Sequence, residues 1–139
     1  MNISNKLFLL SFVCLFLAII IASCNQLKKE EEKIKRADYI RTIPGKDEVL
    51  SPKTIQQGKV LIAYADCYTC HKEEERSFGP AFMDIAERYP ANRVFTQMLA
   101  HKIITGGSHS WGNAVMLPHP KLSLKDAETM ATFILSLEQ

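Results

Sequence analysis

The chain of 139 residues carries 17 Lys and Arg against 15 Asp and Glu, a formal net charge of +2, and 47% of its residues are apolar. That length suits one domain of ordinary size, or two at most. The charge balance excludes a protein that works mainly by gripping nucleic-acid phosphates, which asks for a strong basic excess. The apolar residues are unevenly spread, with 17 in residues 1–23 and 48 among the 116 residues from 24 to 139. Cysteines stand at 14, 24, 67 and 70. An even count in an exported chain invites a two-disulfide reading, but the spacing assigns these four to separate tasks.

The N-terminus reads as an export address. Met1 to Lys6 is short and polar with one positive charge, and Leu7 to Ala22 is apolar throughout except for Ser11. A basic start, an apolar centre and small residues before a break describe a secretory signal. The run is shorter than the ~20 residues a spanning helix needs, so an uncleaved anchor helix is the weaker reading. Ile21-Ala22-Ser23-Cys24 resembles a bacterial lipobox. That resemblance implies cleavage before Cys24 and lipidation of its sulfur, with residues 1–23 as a lipoprotein signal peptide. Cys14 lacks small residues before it and belongs to the apolar run.

Residues 24–52 read as a lipidated N-terminus followed by a charged linker. Lys28 to Arg36 runs KKEEEKIKR, and Pro44-Gly45 signals a turn. Glu31–Lys35 and Glu32–Arg36 are favourable i,i+4 pairs, and Leu27, Ile34, Ala37 and Ile40 form a thin apolar stripe. These favour partial helix over Lys28 to Ile43, but the preferred reading of residues 25–51 is a solvated linker, whose 27 residues would span as a coil about 30 Å on average and about 90 Å fully extended.

Residues 53–139 read as the folded domain. Ser51-Pro52 supplies an N-cap and first-turn pair for a helix. Ile55, Lys59, Ile62 and Asp66 share one side of it, and Val60, Leu61, Tyr64 and Ala65 supply apolar faces. This helix leads into Cys67-Tyr68-Thr69-Cys70-His71. C-x-x-C-H is the attachment signature of c-type haem. On one helical turn, residues three and four apart share a face. Two thiols can therefore add to the haem vinyl groups while the imidazole reaches the iron from the same side. Three alternatives are weaker. A thioredoxin-like redox pair needs a βαβ setting, a structural zinc site wants four ligands, and a local disulfide leaves His71 unexplained.

The iron then needs a sixth ligand or is left open. The downstream candidates are Met83, Met98, Met116, His101, His109 and His119. A helix introduced by Pro90-Ala-Asn92 runs to a Gly106-Gly107 stop. It carries Val94, Phe95, Met98, Leu99 and Ile103 at helical spacing, which makes Met98 core and His101 a surface histidine. Met83, close behind Gly79-Pro80, reads as packing. Met116 sits in a segment bounded by Gly112, Pro118 and Pro120, which cannot be continuous helix. A last helix opens at Ser123-x-x-Asp126, a capping-box variant, with Leu124, Ala127, Met130, Ala131, Ile134 and Leu135 on its core face.

At this point residues 53–139 resemble the class I monohaem cytochromes c, above all the short bacterial c-551/c-552 type. The match rests on Cys67–His71, Gly79-Pro80-Ala81-Phe82 with Asp84-Ile85-Ala86, and Leu99-Ala100-His-Lys102-Ile103. It continues through Trp111-Gly112, then Met116, Pro118, and Asp126-Ala127-Glu128. The resemblance implies an all-α class I cytochrome c fold wrapped around one haem c, held covalently through Cys67 and Cys70. It further implies His71 and Met116 as the iron ligands, and the Pro80 carbonyl on the other nitrogen of His71. Trp111 and Lys102 become haem-propionate partners. Leu117 departs from the Pro that often follows the ligand Met. His109, in Gly-Gly-Ser-His-Ser, lies near the haem edge, where a surface histidine is the preferred reading over a rival ligand or a pH-sensitive group.

The function so implied is a one-electron carrier of a bacterial respiratory chain, a monomer and no enzyme. It would sit on the extracytoplasmic, periplasmic side of a membrane through a lipid anchor. A quinol-oxidising complex would be the donor, and a terminal oxidase or envelope reductase the acceptor. The alternative is a small haem enzyme or gas-binding sensor with a displaceable distal ligand. Residues 53–139 hold nine basic and nine acidic groups. Docking should then lean on a local surface more than on long-range steering.

Overall fold

The computed structural model describes residues 3–138. Met1 and Asn2, the first residues of the proposed signal, and Gln139 lie outside the described residues. The chain divides into two compact units, one up to Tyr39 and one from Ile40 onward.

The first unit is one helix, α1 (Ile3–Ile40). No Gly or Pro interrupts the sequence before Pro44, and Lys35 Nζ meets Glu31 Oε1 at 2.8 Å one turn away. Leu27 and Ile34 are exposed. The solvated coil expected over residues 25–51 is therefore not what forms. Charge density alone suggested a coil, whereas good helix formers with i,i+4 pairs and no breaker continue the helix. Among the described residues, no helix is long and apolar enough to cross a membrane.

The rest of the expected linker is also structured. Ile40 is buried, and Ile43 and Leu50 pack against the core of the second unit. Between them the chain is pinned to the segment around residues 88–93. The Ile43 N–H donates to the Arg88 carbonyl (2.8 Å) and the Glu48 N–H to the Ala91 carbonyl (2.7 Å). The Asp47 carboxylate accepts from the Ala91 N–H (2.7 Å), and the Asn92 side chain donates to the Lys46 carbonyl (3.1 Å). Residues 40–50 thus form a strap, and the compact unit starts well before residue 53.

Four helices build the second unit: α2 (Pro52–Tyr64), α3 (Phe82–Arg88), α4 (Arg93–Thr105) and α5 (Leu124–Leu135). A short 3₁₀ turn, Asp66–Thr69, follows α2. The last helix is the centre of the core, since α2, α3 and α4 all pack on it. Its residues Ala127, Met130, Ala131, Phe133, Ile134 and Leu135 are buried with Ile62, Phe82, Ile85, Tyr89, Ala100 and Ile103. Caps fix where the helices begin. Asn92 accepts from the Phe95 N–H (3.2 Å), and Ser123 Oγ accepts from the Asp126 N–H (3.1 Å). Ser51 precedes Pro52 as expected, but its side chain makes no capping bond.

Several expected core positions face outward instead. Met98 is 40% exposed and Val94 70%, while Phe95, Leu99 and Ile103 turn inward. Val60, Tyr64 and Leu124 are likewise exposed. Apolar residues on these helices outnumber the positions that face α5, so periodicity overcounts the core.

The expected all-α fold gains a small antiparallel ribbon of β1 (Gly107–His109) and β2 (Gly112–Met116). Gly107 pairs with Met116 and Ser108 with Val115, and the register shifts after Ser108. The reversal uses left-handed backbone at His109 (φ 68°) and Gly112 (φ 75°). A glycine tolerates that conformation at little cost, which makes the turn tight enough for pairing.

One glycine carries a packing role. Gly58 on α2 is buried against α5, and a Cβ there would run into the Thr129 carbonyl oxygen and the Phe133 Cβ. In a free helix Gly→Ala stabilises by up to ~1 kcal/mol. Here Gly58→Ala should instead destabilise the intact protein, by about 1–3 kcal/mol from overpacking. Chemical denaturation checks this, and an unchanged or raised stability would refute the close α2–α5 contact.

Candidate functional site

The site is built at the end of α2. The helix stops at Tyr64, and the 3₁₀ turn carries Cys67 onto the domain face. The Cys67 carbonyl accepts from the Cys70 N–H (3.2 Å) and the His71 N–H (2.9 Å). One turn therefore joins all three residues, as the spacing required, although it is a 3₁₀ turn in place of α-helix. Both cysteines are free thiols, Cys67 half-buried and Cys70 exposed. Burial first, and then the Asp66 carboxylate, push the Cys67 thiol above its usual range.

The loop after His71 folds back to hold the imidazole. The Gly79 N–H donates to the Cys70 carbonyl (2.8 Å), the Phe82 N–H to Lys72 (2.9 Å) and the Met83 N–H to Glu73 (2.9 Å). Tyr68 adds a side-chain tie by donating to Glu73 (2.8 Å). Burial and this bond push its phenol up to about 12, so it remains the donor at any physiological pH. Arg76 Nε meets Asp84 Oδ2 at 2.8 Å, and the Asp84 side chain is only 2% exposed. The Arg76 side chain is 40% exposed, so this is a half-buried contact, and it fastens the loop to α3.

His71 is buried within this arrangement. Its Nδ1 lies 2.8 Å from the Pro80 carbonyl oxygen. A carbonyl only accepts, so Nδ1 carries the proton and Nε2 presents a lone pair. Phe82 stacks on the ring, with centroids 5.1 Å apart and planes 16° apart. Gly79 closes the other approach, since a Cβ there would sit 2.7 Å from His71 Cε1. Burial pushes the imidazole pKa below the ordinary histidine value, outweighing the opposite pull of the Pro80 carbonyl. The neutral ring is the form that ligates a metal.

The remaining candidates fall in different places. Met116 ends β2, half-buried, and packs with Cys67 and Trp111 against the same core. Trp111 lies in the β1–β2 turn, and its ring meets Tyr89 edge-on with centroids 6.5 Å apart. Lys102, in the last turn of α4, lays its ammonium over Gly107. His109 is exposed at the ribbon tip, 2.6 Å from the Ser108 hydroxyl. His119 has both ring nitrogens engaged, 3.1 Å from Asp66 Oδ1 and 3.3 Å from the Ile103 carbonyl oxygen. His101 is exposed, Met98 lies on the outer side of α4, and Met83 is half-buried in α3. Among the described residues, no group of three His, Cys, Asp or Glu forms a metal-holding cluster.

Sequence reasoning gave no role to Phe82, Gly79 or Arg88. Phe82 and Gly79 stand in the motif that carried the resemblance, but only the fold shows them against the imidazole. Arg88 has no motif. Its Nη1 donates to the Ser110 carbonyl (2.6 Å), and its guanidinium carbon sits 4.6 Å from the Trp111 ring centroid.

Comparison with known proteins agrees with this geometry. The sequence pattern of the family described as Cytochrome c matches residues 55–138. Cytochrome c-551 of Allochromatium vinosum is 32% identical over 78 residues, 56% of this chain and 83% of its own length. Cytochrome c-552 of Nitrosomonas europaea is 38% identical over 73 residues, 52% of this chain and 71% of its own. The crystal structure of wild-type Nitrosomonas europaea cytochrome c552 superposes with a TM-score of 0.53 at 37% identity. It covers 57% of this chain and 98% of that one.

The residues present fit a haem c. Two free thiols and a neutral, oriented imidazole share one turn. The Arg88 Nε, a buried cationic donor, has no hydrogen-bond partner among the described residues, which suits a group that bears carboxylates. Gly79→Ala should drive the imidazole off the Pro80 carbonyl, and most of the low-spin haem spectrum should be lost. Visible spectra of the purified variant check this. A wild-type spectrum at full haem loading would mean that the ring does not depend on this close approach.

Proposed function

This chain belongs to the cytochrome c family, and on that premise we propose that it is a lipid-tethered one-electron carrier of a bacterial respiratory chain. One haem c is bound covalently through Cys67 and Cys70. The haem, once bound, supplies one-electron exchange between ferric and ferrous iron, and the protein supplies orientation and electrostatics. The observation that carries the reading is the His71 ring, held neutral by burial and oriented by Pro80 with Nε2 left to ligate iron.

Met116 is the distal ligand in this proposal. It ends a paired strand, and Gly106, at the C-cap of α4, lies close against its carbonyl, so its backbone is fixed from two sides. Pro118 and Pro120 then stiffen the exit of the chain. Of the other candidates, His119 already has both nitrogens occupied. A thioether opposite an imidazole raises the potential relative to two imidazoles. If His71 and Met116 both held the iron, small molecules would have no ready access to it, which would separate a carrier from a gas sensor or small haem enzyme. Trp111 and Lys102 hold the propionates in this reading, and Pro80 keeps His71 in its ligating tautomer.

The address is the second half of the proposal. Cys24, exposed on α1 and preceded by Ile21-Ala22-Ser23, is the lipid site. Stable anchoring takes more than one acyl chain, as bacterial lipoproteins provide. Electrons would come from a membrane quinol-oxidising complex and leave to a terminal oxidase or envelope reductase. The protein acts as a monomer in this proposal, and with nine basic and nine acidic groups in residues 53–139 its docking leans on a local surface more than on long-range steering.

Met116→Ala should leave haem attached, remove the red-edge absorption band of the ferric protein and lower the potential. Spectra and potentiometry decide this. An unchanged band and potential would refute the ligand assignment, and rapid carbon monoxide binding by the reduced wild-type protein at neutral pH would refute the carrier reading. Cys24→Ala should release the domain from membranes on fractionation. Mass spectrometry of the mature protein that finds Met1 intact would overturn lipidation.

A further inference from the structure

The β1–β2 turn that holds Trp111 is controlled from the end of α3. Arg88 is the last residue of that helix, and its guanidinium touches the turn in two ways. Nη1 donates to the Ser110 carbonyl at 2.6 Å, which fixes the peptide leading into Trp111. The guanidinium carbon also lies over two rings, 4.6 Å from the Trp111 centroid and 5.3 Å from that of Tyr89. A planar cation over an indole face is attracted to it, so backbone and ring are held together.

The backbone of Arg88 is itself held, because its carbonyl accepts from the Ile43 N–H of the strap at 2.8 Å. One donor then remains. Among the described residues, Arg88 Nε is the buried side-chain polar atom without a hydrogen-bond partner. A buried cationic donor left open is costly unless an acceptor completes it. Arginine also stays charged at every physiological pH, unlike a buried lysine.

We propose that Arg88 is a positioning residue for Trp111, and that its charge and open Nε–H act on the haem propionate received by Trp111, raising the reduction potential. This rests on the reading of Trp111 as a propionate partner. The sign follows from charge. A fixed cation near the haem disfavours the ferric state, which carries one more positive charge than the ferrous state. The strap that steadies Arg88 lies outside residues 55–138, the part of the chain matched by the family pattern.

The experiment uses the haem-loaded protein and three variants. The chain has one Trp, so the sharp near-ultraviolet dichroism of an indole reports on Trp111 alone. Arg88→Gln should lower the potential and flatten the indole signal, with the red-edge band unchanged. Arg88→Lys keeps the charge but loses the guanidinium fork that holds Ser110 and covers Trp111. It should flatten the indole signal as much and lower the potential less. If both Arg88 variants fold and keep wild-type potential and dichroism, the proposal fails. Trp111→Phe separates it from the reading beneath. A shift in potential there, with none in the Arg88 variants, overturns the role of Arg88 alone. No shift in Trp111→Phe overturns the propionate assignment itself.

Discussion

The hydrogen bond from His71 Nδ1–H to the Pro80 carbonyl, 2.8 Å long, is the contact on which the site depends. A single neutral bond of this kind contributes only about 1 kcal/mol net. Its importance is directional, because it fixes which nitrogen keeps the proton and therefore which one keeps a lone pair for a metal. Much of the surrounding structure serves to put one carbonyl in place. The loop from Lys72 to Ala81 returns on paired backbone bonds, the Arg76–Asp84 contact fastens it to α3, and Phe82 covers the ring. Pro80 lacks an N–H, so its peptide enters the loop as an acceptor only.

The second organising element is α5. The other three helices of the compact unit rest on it, and its small residues Ala127 and Ala131 are fully buried. Close approach is possible because α2 offers Gly58 at the crossing. The consequence reaches the site through α2, whose C-terminal end delivers the cysteine turn. The elements that bind the cofactor are thus short and irregular, and the helices behind them are long and tightly packed. Geometry needed for chemistry is placed on turns that rigid helices hold still.

The sequence made legible whatever was local and chemically distinctive. Cys67, Cys70 and His71 declare themselves by spacing, Asn92 and Ser123 mark helix starts, and Met116 stands out between helix breakers. The helical class followed from periodicity, but the ribbon did not, because β1 and β2 together hold eight residues with no clean alternation. Long-range contacts were equally hidden. Nothing near Arg88 in the chain suggests Trp111, which lies 23 residues on, and Phe82 finds its role only when the loop closes. Met98 and Val94 misled for the opposite reason. Their spacing is helical, but spacing does not say which side of α4 meets α5. The charged segment misled through composition, since Glu and Lys favour both solvation and helix.

The strap redraws where the domain ends. Residues 40–50 carry no motif and lie outside the family match, yet their backbone and carboxylates are tied to Arg88, Ala91 and Arg93. Residues 24–40, as helix, rise about 1.5 Å each and reach roughly 25 Å, far less than an extended coil. The chain between Cys24 and Ile40 precedes the strap, so a change of length there leaves the strap's hydrogen bonds in place. With Cys24 as the proposed lipid site, such a change would alter only the length of the tether. From Ile40 onward the same changes disturb the folded unit itself.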